Sequence, residues 1–244
     1  MGDVLDRAVD ISELGQRNLW VIYGKSTSGK TGLLATFPKP ILYLQIGDDG
    51  SNTISEVDGI KAIRITEIAD LNSALIEARL DTYYKTVAVD TFSLLVNEWT
   101  DVNAIQKKKK MSMNMWGDLK TDTEELVKLA HILALKKIVV LTCHEVSDSI
   151  EGFEDEITPD VRPSVSKGAR TYLEGMANYG IHTTLITKDK QQPDGSIAEV
   201  VLHAAHLGPN PYYWNKTQKS TSIKLPKIMI NPTYAKIMKK IKGE

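Results

Sequence analysis

Residues 24–31, Gly-Lys-Ser-Thr-Ser-Gly-Lys-Thr (GKSTSGKT), decide the fold. Glycine, four residues and then Gly-Lys-Thr is the P-loop pattern, and it stands between apolar Leu19–Tyr23 and Leu33, Leu34 and Ala35. That is the strand, loop and helix context the motif requires. At average residue usage such a pattern arises by chance in about one chain of this length in a hundred, so the flanks decide the reading. Gly24 and Gly29 let successive amides turn toward one point and form an anion nest. Lys25, Ser26, Thr27, Ser28 and Gly32 complete the phosphate cradle. Lys30 is expected to reach the β- and γ-phosphates, and the Thr31 hydroxyl to ligate Mg²⁺.

The chain has 244 residues, 42% hydrophobic and 25% charged, which is ordinary for a soluble globular protein. No apolar run approaches the ~20 residues that span a bilayer, and the first residues carry charges where a signal peptide is apolar. An intracellular, cytoplasmic protein without a membrane partner is expected. Cys143 is the single cysteine, next to Val139–Thr142, and reads as a buried strand residue rather than a reactive thiol. A net charge of −1 argues against a whole-molecule polyanion binder but leaves room for a local basic face.

Along the chain, apolar strands alternate with helical patterns. Strands are read at Pro40–Ile46, Ile60–Ile65, Lys85–Asp90 and Ile138–Cys143, and helices at Ala69–Tyr83, from Phe92 to about Ile105, and at Trp116–Leu135. This order predicts an α/β fold with a mostly parallel sheet covered on both faces. Ser147–Lys167 loses periodicity and turns acidic, and reads as a long functional or mobile loop. Ala169–Ala177 reads as a short helix. Ile181–Thr187 and Ala198–Ala204 read as an antiparallel hairpin around Pro193, Asp194 and Gly195, a C-terminal extension of the sheet. No linker or composition shift marks a boundary, so one domain, 18–244, is expected behind an N-terminal segment, 1–17.

A strand-terminal acid serves either as a cap for the next helix or as a holder of magnesium-bound water. With a P-loop in the same chain, Asp90 reads as the magnesium carboxylate. Taken in order, the P-loop, Ile41–Asp49, TVAVDTFSLL at Thr86–Leu95 and IVVLTCHE at Ile138–Glu145 resemble the RecA-like P-loop ATPases. They resemble most the phage-encoded nucleotide-binding proteins of the single-strand annealing type. The resemblance continues in MNMWGDLK, in Gly168–Gly180 and in IKLPKIMINPTYAKIM, and covers most of residues 18–240.

It implies a RecA-like core, ATP with Mg²⁺ as cofactors, and a homo-oligomer in a ring or filament. A carboxylate after the second strand is implied to orient the attacking water, and Asp48 and Asp49 stand there. The family's usual glutamate is one methylene longer, which predicts slow hydrolysis; a plain polar turn is the alternative. His144 falls where the family carries a γ-phosphate sensor. Lys216 and Lys219 fall where such proteins reach a neighbouring subunit's phosphates, with solvated lysines as the alternative.

Other P-loop classes fit less well. A GTPase would have glycine where Ser93 stands, and Thr187-Lys188-Asp189 places its acid one residue too early for guanine recognition. A small kinase would carry an arginine-rich lid, yet Arg162 and Arg170 are the only arginines after Arg79. For nucleic acid the candidates are Lys107, Lys108, Lys109 and Lys110, then Arg162, Lys167 and Arg170, on the two loops that line the single-strand channel in the resembled family. The acids from Asp148 to Asp160 conflict with that role unless they point elsewhere. Two functions remain. One is an ATP-dependent single-stranded DNA recombination protein, with a single-strand binding protein as an expected partner in the host cytoplasm. The other is a nucleotide-gated loading module that hydrolyses little and acts through a partner protein.

Overall fold

The computed structural model describes residue 8 and residues 16–47, 50–95, 112–151, 157–191, 196–219 and 222–244. Asp48, Asp49, Lys107–Lys110, the turn at Pro193–Gly195 and the helical reading beyond residue 95 lie outside the described residues.

Four runs rich in Val, Ile and Leu become the central strands. They are β1 (Asn18–Tyr23), β2 (Ile41–Ile46), β4 (Thr86–Asp90) and β5 (Ile138–Cys143), and nearly every residue in them is buried. Burial on both sides is what a continuous apolar run signals in a parallel strand. With β3 (Ile60–Ile65) at one edge, they pair in parallel in the order β1-β5-β4-β2-β3. On the other side of β1, β8 (Tyr179–Gln191) pairs in parallel and then turns back antiparallel through β9 (Ile197–His206) to β11 (Ile228–Ile230). The two-residue β10 (Lys216–Thr217) pairs with β8 and completes a nine-stranded sheet. The α/β class, the parallel core and the antiparallel C-terminal side therefore match expectation.

Alternate side chains of each strand enter different clusters. Leu19, Val21 and Tyr23 of β1 pack with Val139 and Leu141 of β5 against α2 (Ile68–Leu80), α3 (Met113–Leu133) and α4 (Lys167–Met176). Trp20 and Ile22 face the opposite side, where α1 (Lys30–Leu34) contributes Leu33 and Leu34 and α5 (Tyr234–Lys242) contributes Ile237 and Ile241. Two helical layers thus clamp the sheet. Cys143 is fully buried in the first cluster, and burial pushes its thiol up to about 12, in keeping with a structural residue.

One reading is corrected. The described residues of the acidic stretch read as a loop, Ser147–Lys167, are not irregular: β6 (Glu145–Glu151) and β7 (Ile157–Pro163) form a separate antiparallel ribbon, in register from Glu145↔Pro163 to Glu151↔Ile157. The ribbon grows directly from the end of β5.

Trp20 is fully buried, stacked on Tyr179 at 4.1 Å and edge-on to Phe37 at 5.2 Å. Trp20→Ala is expected to cost about 3–5 kcal/mol of folding stability, read by denaturant unfolding. A loss under about 1 kcal/mol would show that this layer repacks.

Candidate P-loop nucleotide site

The P-loop spans the gap between the end of β1 and α1. A Cβ on Gly24 would lie 2.3 Å from the Thr183 carbonyl oxygen. One on Gly29, at φ 94°, would lie 2.6 Å from the His203 ring. Only glycine fits either place. Thr27 also sits at positive φ, 66°, an uncommon state for a β-branched residue that the surrounding loop must enforce. The loop is tied to β8 by Ser28 Oγ and Thr183 Oγ1 at 2.8 Å, and Thr183 Oγ1 donates to the Tyr23 carbonyl at 3.2 Å.

Beneath the loop, Asp90 is buried at 1% exposure and collects hydroxyl donors from four directions. Thr31 Oγ1 donates to its Oδ2 at 2.8 Å and Tyr43 to the same oxygen at 2.7 Å. Thr91 Oγ1 donates to Oδ1 at 3.0 Å, and Thr142 donates there too. The P-loop threonine and the strand-terminal acid thus meet, although 59 residues separate them in the chain.

Lys30 is buried, and its ammonium donates to the carbonyls of Gly24 at 3.1 Å and Lys25 at 2.8 Å, inside the loop it belongs to. A cavity of about 550 Å³ opens over these groups. The P-loop, Gly50, Thr53 and Thr91 line one part of it, and His203, Asn231, Pro232, Thr233 and Lys236 another. The donor set suits magnesium. A carboxylate and a hydroxyl oxygen in contact, within a nest of amides for phosphate, are the hard ligands this ion takes while keeping most of its water. Among the described residues no group of three His, Cys, Asp or Glu side chains could hold a metal by itself, so the ion would depend on phosphate oxygens.

The remaining predicted residues are placed as follows. His144 follows β5, and its backbone N–H donates to Ser93 Oγ at 2.9 Å. Its neighbour Glu145 holds His182 Nε2 at 2.8 Å on the outer flank of the P-loop. There a second cavity, of about 720 Å³, lies between Lys25–Ser28, the ribbon and Tyr213. Arg162 pairs with Asp160 at 2.6 Å and Glu174 at 3.2 Å, and Arg170 with Asp148 at 2.6 Å. Lys167 opens α4 and is exposed. The Lys216 ammonium donates to the Glu174 and Gly175 carbonyls, at 3.0 and 2.8 Å, and partial burial lowers its pKa. Lys219 follows β10 and is exposed.

Sequence reasoning missed Thr142 and Tyr43 as partners of Asp90, and it missed the wall built by His203 and residues 231–236. Thr142 was legible in principle, as a lone hydroxyl in the apolar run IVVLTC. His182 was also missed. It stacks on Tyr213 at 4.0 Å, and Tyr213 lies 4.5 Å from His206. Burial lowers the pKa of His182 against the pull of Glu145. Burial, reinforced by His182, brings His206 down to about 4.

A model of the AAA domain matches residues 17–219. The chain belongs to the AAA domain family. It is a nucleotide-binding P-loop ATPase domain of that type, a class that uses nucleotide with Mg²⁺. Among solved structures, the P4 protein from bacteriophage phi6 in complex with ADP is similar, at 14% identity over 82% of this chain and 69% of that one, with a TM-score of 0.38. No curated protein matches. The AAA domain match includes the P-loop, Asp90 and the ribbon; it stops short of β11 and α5, so the cavity wall at 231–236 lies beyond it.

The depressed His206 pKa has a signed consequence. Its folded value lies below the 6.5 of an unperturbed histidine, so the unfolded chain takes up the proton first as pH falls. Stability held above pH 6.5 should therefore be lost progressively toward pH 4. His206→Phe, which keeps a ring against Tyr213, should flatten that part of the profile, read as thermal midpoints at pH 7.5 and pH 5, about one unit outside and inside that window. Parallel profiles for the two proteins would mean that His206 takes up its proton at the same pH in the folded as in the unfolded chain.

Proposed function

We propose that residues 18–244 act as one magnesium-dependent ATPase domain, behind the segment 1–17, whose bound nucleotide controls a single-stranded DNA-binding surface during phage recombination. The observation that carries the ATPase reading is the 2.8 Å hydrogen bond between Thr31 and Asp90. It sets a P-loop hydroxyl and a buried carboxylate side by side under a cavity large enough for a nucleotide.

When bound, Mg²⁺ neutralises charge on the phosphate oxygens. Thr31 and Asp90 supply its protein ligand and orient its water. Lys30 exchanges the Gly24 and Lys25 carbonyls for the β- and γ-phosphates, a small movement of an ammonium already aimed into the loop. Asp48 or Asp49 orients the attacking water, a role supported by the adjoining Gly50, which lines the cavity. His144 acts as sensor, joining the segment after Asp90 through Ser93 to the base of the ribbon.

The ribbon is the output. It begins at Glu145, on the P-loop flank; its target is single-stranded DNA, for which Lys107–Lys110 and Lys167 are the candidate cations, and a homo-oligomer promotes annealing or strand exchange. A single-strand binding protein is a fitting partner in the host cytoplasm. No described helix is long and apolar enough to cross a membrane. Lys216 and Lys219 are the candidates to reach a neighbour's phosphates, and for Lys216 that means giving up the two carbonyls of its own chain to which its ammonium donates.

A second reading has its own support. Arg162 and Arg170 are engaged by Asp160, Glu174 and Asp148, so the ribbon base presents compensated rather than free positive charge. That favours a nucleotide-gated module acting through a protein partner.

Steady-state ATP hydrolysis with and without single-stranded DNA tests both. Lys30→Ala should abolish nucleotide binding, and Asp90→Asn should lower turnover far more than binding. Unchanged ATP affinity in Lys30→Ala would remove the P-loop assignment. Single-stranded DNA should bind about 5- to 150-fold tighter with a non-hydrolysable ATP analogue than with ADP, the usual range for coupled sites. Absence of DNA binding at low salt in every nucleotide state would leave only the partner-protein module.

A further inference from the structure

The P-loop accounts for one part of the 550 Å³ cavity. Phosphates held by its amides and by Lys30 leave the nucleoside to occupy the remainder, along Gly32, where a Cβ would meet nothing within 4 Å. That remainder is walled by His203, Asn231, Pro232, Thr233 and Lys236.

This wall is built and held, although it comes from the chain's last segment. Asn231 N–H donates to the His203 carbonyl at 2.7 Å, tying the turn to β9. Lys236 Nζ donates to the Asn231 carbonyl at 3.0 Å. Thr233 caps α5 by accepting from Lys236 N–H at 3.3 Å, and Tyr234 N–H donates to Thr36 Oγ1, just beyond α1, at 2.8 Å. Asn231 sits at φ 46°, a left-handed conformation that asparagine tolerates better than most side chains. His203 in turn packs on Gly29 of the P-loop itself. The turn, the strand and the phosphate cradle form one continuous surface.

We propose that His203 and the Asn231–Thr233 turn form the nucleoside subsite of this domain and that Asn231 selects adenine; the proposal rests on the P-loop reading above. The imidazole of His203 and the ring of Pro232 offer flat faces for a base. The carboxamide of Asn231 presents one donor and one acceptor. That pair matches the amino group and ring nitrogen that adenine displays side by side. Guanine displays two acceptors at the same edge and would leave the amide oxygen without a donor. Lys236 is a positioning residue that holds the Asn231 backbone.

The test is calorimetric titration of the full chain with Mg²⁺ and three probes: ADP, GDP and inorganic tripolyphosphate, which engages the P-loop end alone. Asn231→Gly removes the amide while suiting positive φ. It should shrink the preference for ADP over GDP by about tenfold, the discrimination one bidentate contact provides. His203→Ala should weaken ADP and GDP together by about tenfold, the size of one stacking contact. Both variants should keep wild-type affinity for tripolyphosphate, which also verifies the fold. The proposal is overturned if both variants bind ADP and GDP as wild type does, if wild type does not prefer ADP, or if tripolyphosphate weakens in parallel. Wild-type protein that binds tripolyphosphate and both nucleotides with unaffected variants fails this proposal alone. Wild-type protein that binds no probe fails the P-loop reading as well.

Discussion

The buried carboxylate of Asp90 is the constraint on which the rest of the structure depends. Taking an ionised acid out of water costs several kcal/mol unless its oxygens are met by donors. Here the donors are hydroxyls from α1, β2, the residue after β4, and β5. No local segment can supply that set. Thr142 reaches Asp90 because β5 lies between β1 and β4, and Tyr43 reaches it because β2 is the next strand out. The strand order that closes the hydrophobic layers is therefore the one that satisfies the acid, and satisfying it brings Thr31 of the P-loop into contact. Fold and site are solved by one arrangement.

That explains which parts were readable in the chain. β1, β2, β4 and β5 announce themselves because burial on both faces requires unbroken apolar runs. The P-loop announces itself because the loop demands glycine at two close approaches, Gly24 to the Thr183 carbonyl and Gly29 to the His203 ring. The β6–β7 ribbon does not. EVSDSIE and ITPDVRP contain no apolar run and two prolines, and a two-stranded ribbon outside the main sheet imposes no alternating burial on its residues. Its acids look misplaced until Asp148 is found on Arg170, 22 residues away. The cavity wall was hidden for a similar reason. Its anchor, Tyr234 N–H on Thr36, spans 198 residues, and β11 has only three residues to signal a strand.

The ion pairs also resolve why an acidic stretch lies beside the arginines that looked suited to phosphate. Arg162 is half-buried between β7 and α4, where Glu174 is raised in pKa by burial despite that same arginine. A guanidinium there, without acids, would be an uncompensated charge close to Tyr23 and the core. Asp148 and Asp160 of the ribbon are thus structural counter-charges first. Any role for these arginines toward DNA requires exchanging one set of anions for another, so it would respond to salt more weakly than the contacts of free lysines.

The P-loop stands between two cavities, and Thr183 lines both. On one side lie Lys30 and the wall at His203 and Asn231–Thr233, on the other Glu145 and His182 at the root of the ribbon. The ribbon is fastened there by two kinds of bond. Val161 exchanges backbone hydrogen bonds with Tyr212 and Trp214 and accepts from the Tyr23 hydroxyl; these are neutral and indifferent to the nucleotide's charge. The Glu145–His182 contact is not neutral. It lies beside Lys25, whose positive charge opposes protonation of His182, and Lys25 also lends its carbonyl to Lys30. If Lys30 turned to phosphate as proposed, that carbonyl would lose its partner and the loop around Lys25 would have to adjust. A ligand shifts an equilibrium only through contacts that differ between states. Of the bonds at the ribbon's root, the acid–imidazole pair beside Lys25 is therefore the one whose surroundings the proposed movement of Lys30 would change.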